Sequence, residues 1–161
     1  MSELKSRLVC LSLFGCVLVL NACSTAGSST SSGSTSQQAS ENGSLTLYEQ
    51  LGGRTGVEKL SEQFIIHIAA DKRIRERFAK SDIGRFHLMM QEHLCDISDG
   101  PCEYSGDDMQ KTHGGMNIRS SEFNAVVEAL MNAMDVVQLP ISTQNRLLAR
   151  LGPLRPEIVG H

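Results

Sequence analysis

Apolar residues return every three or four positions through four stretches of the chain, and polar or glycine-broken segments separate them. Between residues 54 and 70, Val57, Leu60, Phe64, Ile65 and Ile68 share one face, behind a Gly52-Gly53 pair able to redirect the backbone. That spacing predicts an amphipathic helix. A second helix starts at Asp82 as N-cap and carries Ile83, Phe86, Met90, Leu94 and Ile97 until Asp99-Gly100-Pro101 stops it. A third begins at Ser120 or Ser121, with Phe123, Val126, Val127, Leu130, Met134 and Val137 in register, and Pro140 opens a fourth with Leu147, Leu148, Leu151 and Leu154. No stretch alternates with period two long enough to make a strand, so the expected fold class is all-α with four main helices. Residues 101–117 are the exception, polar and interrupted by Tyr104-Ser105-Gly106 and His113-Gly114-Gly115. A connection that long inside a compact domain usually binds something.

The N-terminus follows a different pattern. Lys5 and Arg7 precede an apolar run over residues 8–20, too short to cross about 30 Å of hydrocarbon, which reads as a signal peptide. The run closes on Leu20-Asn21-Ala22-Cys23, which resembles the bacterial lipobox. Cleavage would leave Cys23 as a lipidated terminus; the competing reading is an uncleaved anchor with an incidental cysteine. Ser24 favours the outer membrane, so the expected location is the periplasmic side of a bacterial membrane, tethered without spanning it. Residues 24–44 are Ser, Thr, Gly, Gln, Asn and Ala with one charge, Glu41, and offer nothing to repay ordering. The expected organisation is therefore a signal at 1–22, a lipidated linker at 23–44 and a folded domain at 45–161, large enough for one core.

Composition narrows the partners. Lys+Arg 15 against Asp+Glu 18 gives a net charge of −3, no footprint for nucleic acid. With Trp 0 and Met 7, the core must be aliphatic and adjusted by methionine. Beyond the leader and the lipidated Cys23, two cysteines remain, Cys95 and Cys102; in an oxidising compartment they could close a short disulfide loop, with a zinc site or free thiols as alternatives.

Among the histidines, His87 and His93 stand six apart, about 240° around a helix, and so cannot chelate one ion together. Neither a His-Glu-x-x-His pair nor a Gly-x-Ser-x-Gly elbow occurs, and no phosphate loop or paired-carboxylate constellation is present. His113 is different: it ends the irregular segment and two glycines follow, which lets the chain turn and present an imidazole between helices. A neutral imidazole is the usual proximal ligand of haem iron, although an isolated loop histidine is more often a solvated or capping residue.

Longer motifs favour the haem reading. Leu47-Tyr48-Glu49-Gln50-Leu51-Gly52-Gly53, Gln63-Phe64 and Arg75-Glu76-Arg77-Phe78-Ala79 are followed by the run Tyr104 to His113, by Ile118 with Phe123, and by Gly152-Pro153-Leu154-Arg155-Pro156. Together they resemble the group I truncated haemoglobins over nearly the whole folded part. The resemblance implies a two-over-two α-helical sandwich enclosing haem b, with His113 as proximal iron ligand and Phe78 on the haem face. It implies wall contacts from Phe64, Met109, Phe123 and Val126, further contacts from Ile65, Phe86, Met89, Met90 and Tyr104, and a propionate partner in Arg85.

The resemblance also makes a departure visible. Members of that group usually steady bound oxygen with a Tyr in the first helix and a Gln or similar residue in the second; here those places hold Ile65 and Met90. A bound gas with partial negative charge would find no compensating donor, so oxygen should leave faster than in typical relatives. The leading expectation is reversible binding of a diatomic gas, whether oxygen, nitric oxide or carbon monoxide. The alternative is a six-coordinate His/Met haem, with Met89 or Met90 as sixth ligand, serving electron transfer or sensing with an unidentified redox partner. Nitric oxide dioxygenation needs oxygen to persist and is disfavoured by Ile65 and Met90; a haemless helical adaptor is the remaining class.

Overall fold

The computed structural model describes residues 45–161, and the signal, Cys23 and the linker all lie outside them. Among the described residues the chain is helical throughout, with a lone bridge between Ile118 and Val159 as its only extended pairing. The first helix, α1 (Leu47–Gln50), is one turn long and closed by a reciprocal cap: Glu49 N–H donates to the Thr46 hydroxyl at 3.1 Å and Thr46 N–H to the Glu49 carboxylate at 2.8 Å. Gly52, at φ 93°, redirects the chain into α2 (Gly53–Ala70). A Cβ on Gly56 would collide with the Leu51 carbonyl, so only glycine lets the two helices meet that closely.

A short 3-10 helix (Arg75–Phe78) leads to α3 (Ile83–Ile97), whose N-cap Asp82 accepts from Arg85 N–H at 3.0 Å. Segment 101–117, expected as a loop, contains one more helix, α4 (Met109–His113), capped by Asp108 on Lys111 N–H at 2.8 Å. α5 (Ser120–Val136) and α6 (Ile141–Leu151) follow the apolar spacing. The last helix stops short of Leu154: a 3-10 turn (Gly152–Leu154) intervenes at Pro153, which lacks an N–H, before α7 (Arg155–Ile158).

The core forms where α2 packs on α5 and α3. Ala125, Ala129 and Ala133 make a buried small-residue stripe on α5, and Leu60 and Phe64 of α2, Leu94 of α3, Met134 and Leu147 fill the space around it. Phe123 and Val126, near the start of α5, line a cavity that adjoins this core.

A disulfide joins Cys95, in the last turn of α3, to Cys102, with Cα atoms 5.8 Å apart. Gly100 passes beneath it, where a Cβ would sit 2.6 Å from Cys95 Sγ and 2.7 Å from the Tyr48 ring. Among the described residues no group of His, Cys, Asp and Glu has the arrangement of a metal site, which leaves no zinc role for the two cysteines. Reduction by a dithiol, or Cys102→Ser, should lower stability by about 2 kcal/mol, the chain-entropy value for so short a loop. Urea unfolding of oxidised and reduced protein measures it; coincident midpoints would contradict it.

Candidate functional site

Between α2, the 3-10 helix and α3 on one side and α4, α5 and α7 on the other lies a cavity of about 290 Å³. Its walls are large and apolar: Phe64 and Ile68 from α2, Ile74 and Phe78 around the 3-10 helix, Phe86 and Met90 from α3, Phe123 and Val126 from α5. The Phe78 and Phe86 rings meet at 5.3 Å between centroids, tilted by 47°, a favourable aromatic contact.

His113, the last residue of α4 and half-buried, lines the same cavity. Its Nδ1 lies 3.0 Å from the Met109 carbonyl oxygen one turn earlier. A carbonyl can only accept, so Nδ1 is the donor, and in the tautomer with that single proton the lone pair lies on Nε2. A carbonyl holding the other ring nitrogen in this way fixes the orientation of a metal-ligating imidazole. An apolar slot with large side chains from several helices and one imidazole in that tautomer suits a flat, mostly apolar macrocycle with a central metal. The residues present therefore fit haem.

The charged part of the wall was not foreseen. Arg77 meets the Glu122 carboxylate with both arms of its fork, Nε at 3.0 Å and Nη2 at 3.1 Å, and its Nη1 donates to the Met116 carbonyl at 2.9 Å. Glu122 is 8% exposed and also accepts from Arg119, through the backbone N–H at 2.9 Å and the side chain at 3.1 Å. The bonds from Arg119 and then Arg77 hold its carboxyl down at about 2, from an ordinary 4.5. Because the folded value is the lower one, this stabilisation is complete above pH 4.5 and disappears as pH falls through about 2. Glu122→Gln should cost about 2 kcal/mol at pH 7, a charge-assisted bond's worth and below a fully buried pair, since Arg77 is 39% exposed. Unfolding curves of the two proteins should converge as the pH is lowered across that interval; a gap that stayed constant would exclude the carboxylate as its source.

Of the residues singled out from sequence, the cavity gathers Phe64, Phe78, Phe86, Met90, His113, Phe123 and Val126. Five others do not line it. Ile65 is about 100° round α2 from Phe64 and faces an adjoining groove with Ala69, Ala79 and Ile83. Met89, likewise one residue off, turns its sulfur toward the Ser105 hydroxyl at 4.0 Å. Tyr104 sets its ring edge-on against His93, centroids 5.1 Å apart, and burial there pushes the His93 imidazole down from its usual value. Met109 opens α4 and contributes its carbonyl to His113 rather than its side chain to the wall. Arg85 sits exposed in the first turn of α3, solvated instead of facing the slot. Within the cavity the arginine is Arg77, one residue before Phe78, and its partner Glu122 is marked in the sequence only as the acidic third position of a helix start.

The model of the bacterial-like globin family matches residues 46–159. A group 1 truncated haemoglobin from Nostoc sp. (strain MUN 8820) is 33% identical over 91 residues, covering 56% of this chain and 77% of the relative. Another, from Mycolicibacterium paratuberculosis, is 27% identical over 113 residues, covering 70% and 83%. The solved structure of truncated haemoglobin from Tetrahymena pyriformis in its Fe(III) form aligns with a TM-score of 0.71 at 25% identity, over 73% of this chain and 100% of that one. The 2/2 haemoglobin from Synechococcus sp. PCC 7002, with covalently attached haem, aligns at 0.67 and 20% identity over 71% and 98%, a likeness of fold alone.

Proposed function

The chain belongs to the bacterial-like globin family, with the all-helical two-over-two fold of the group 1 truncated haemoglobins, and from that premise we propose that His113 holds the iron of haem b through Nε2 for reversible binding of a diatomic gas. The observation that carries the reading is the His113 Nδ1–Met109 carbonyl bond inside an apolar cavity, because it leaves the nitrogen required for ligation unprotonated. When bound, the haem would supply an iron able to take up and release a small ligand. Phe64, Phe78, Phe86, Phe123 and Val126 exclude water and hold the macrocycle by contact. Met90 gives the pocket no strong donor, so oxygen should leave quickly, as expected from its place in the second main helix. Absorption spectra of the full chain in ferric, ferrous and CO-bound forms test the reading; a colourless protein that refuses added hemin overturns it.

One observation favours the six-coordinate alternative, and only for one methionine: Met90 reaches the same cavity as His113, whereas Met89 faces the loop. A ferrous spectrum that is high-spin and unchanged in Met90→Leu would exclude it. The proposal extends to the N-terminus on sequence alone: cleavage before Cys23, its lipidation and display on the periplasmic side, with the outer membrane favoured. Cys23→Ala should move the protein from the membrane fraction to the soluble one, and an unchanged distribution would count against tethering.

A further inference from the structure

The helix that presents His113 is poorly held by its own sequence. α4 is five residues long and buries none of them, and it runs straight into Gly114 and Gly115, the latter at φ +77° with open space around it. Glycine pairs give the backbone wide freedom, so a ligand placed just before one needs an outside support to keep its position. Support arrives at the first residues beyond the glycines. Met116 N–H returns to the His113 carbonyl at 3.1 Å, Asn117 N–H donates to the His161 carbonyl at 2.6 Å, and Gly160 N–H donates to the Ile118 carbonyl at 3.0 Å. Two side chains add further ties: Asn117 Nδ2 on the Gly115 carbonyl at 3.5 Å, and Arg77 Nη1 on the Met116 carbonyl at 2.9 Å, from a guanidinium whose other two bonds grip Glu122.

We propose that Arg77 is a positioning residue for the haem-binding imidazole: anchored on Glu122, it holds the Met116 carbonyl and, through it, the end of the helix that carries His113. The placement is economical in chain terms. Arg77 precedes Phe78, whose ring lines the cavity, so two consecutive residues supply one wall and the tether to the segment behind the other. Glu122 lies at the start of α5, one residue before Phe123, which also lines the cavity. A planar fork suits this duty because it is aimed by two bonds to a nearly buried carboxylate while a third donor remains for the carbonyl. A lysine in its place would bring one point charge and no such aim.

The inference rests on His113 as the iron ligand, and the two can fail separately. In the full chain loaded with haem, Arg77→Met keeps the side-chain length and removes every donor. The expected result is haem transfer to an apoglobin acceptor roughly tenfold faster, as for loss of one charge-assisted bond. The iron–histidine stretching band of the ferrous protein should shift and broaden, and amide exchange across residues 114–118 of the haem-free chain should accelerate. Arg77→Lys should fall between variant and wild type, and it carries the test if Arg77→Met does not fold. Arg119→Ala removes a donor from Glu122 but none from Met116 and should leave band and transfer rate unchanged. Wild-type values in the Arg77 variants, even at a lower melting temperature, would overturn the positioning role. Equal changes in Arg119→Ala would reduce it to general stability. The ligand assignment falls on a different result, a stretching band that survives His113→Gly.

Discussion

His113→Gly should abolish stable haem retention while leaving the helical fold in place. The imidazole is half-buried and its only hydrogen bond among the described residues goes to the Met109 carbonyl, so the polypeptide loses little when the ring is removed. The haem loses its one protein ligand. Removing an outer-shell partner of a metal-binding histidine costs roughly 10–100-fold in affinity, so removing the ligand itself should exceed about 100-fold. The variant has a space shaped for the missing ring next to an accepting carbonyl, and free imidazole added at millimolar concentration should enter it and restore the ferrous spectrum. Haem transfer rates with and without imidazole give the measurement. Retention of haem by the variant, with an unaltered ferrous spectrum, would mean that some other side chain binds the iron.

The sequence made the long helices readable because each buries a continuous face, and a buried face leaves a three-four spacing of apolar residues. α2, α3, α5 and α6 have such faces. α4 has none: five residues cannot show a period, and Met109-Gln110-Lys111-Thr112-His113 buries no side chain, so nothing in the apolar pattern marks it and its Asp108 cap emerges only in the structure. The site was legible to the same depth. Aromatic and aliphatic positions within the helical stripes reached the cavity, whereas Ile65 and Met89 missed it by one residue, which on a helix is about 100° of rotation. Resemblance fixes which segment approaches a ligand more securely than which of two neighbours faces it. Glu122 was beyond reach for another reason. Its burial is made tolerable by Arg77, forty-five positions away, and such a pairing exists only once the chain has folded.

Met90→Gln should slow oxygen release roughly ten- to hundredfold, the effect of one hydrogen bond to a group bearing charge. Two of the polar side chains in the wall are already engaged, and Ser81, in the turn after the 3-10 helix, is the remaining hydroxyl. Arg77 is taken by Glu122 and the Met116 carbonyl, and the Thr112 hydroxyl donates to the Asp107 carbonyl at 3.2 Å. The neighbours that α3 itself brings are Phe86 and Met90, which donate nothing strong. Glutamine is close to methionine in length, so the exchange keeps the packing and adds a donor in a low-dielectric pocket, where it is worth more than in water. Carbon monoxide, which gathers far less negative charge in the same place, supplies the control. Its release should stay near the wild-type rate, and stopped-flow displacement of both gases separates the cases. Equal slowing of the two would point to obstruction of the pocket, while a switch of the unliganded ferrous spectrum from low to high spin would show instead that the Met90 thioether had been bound to the iron.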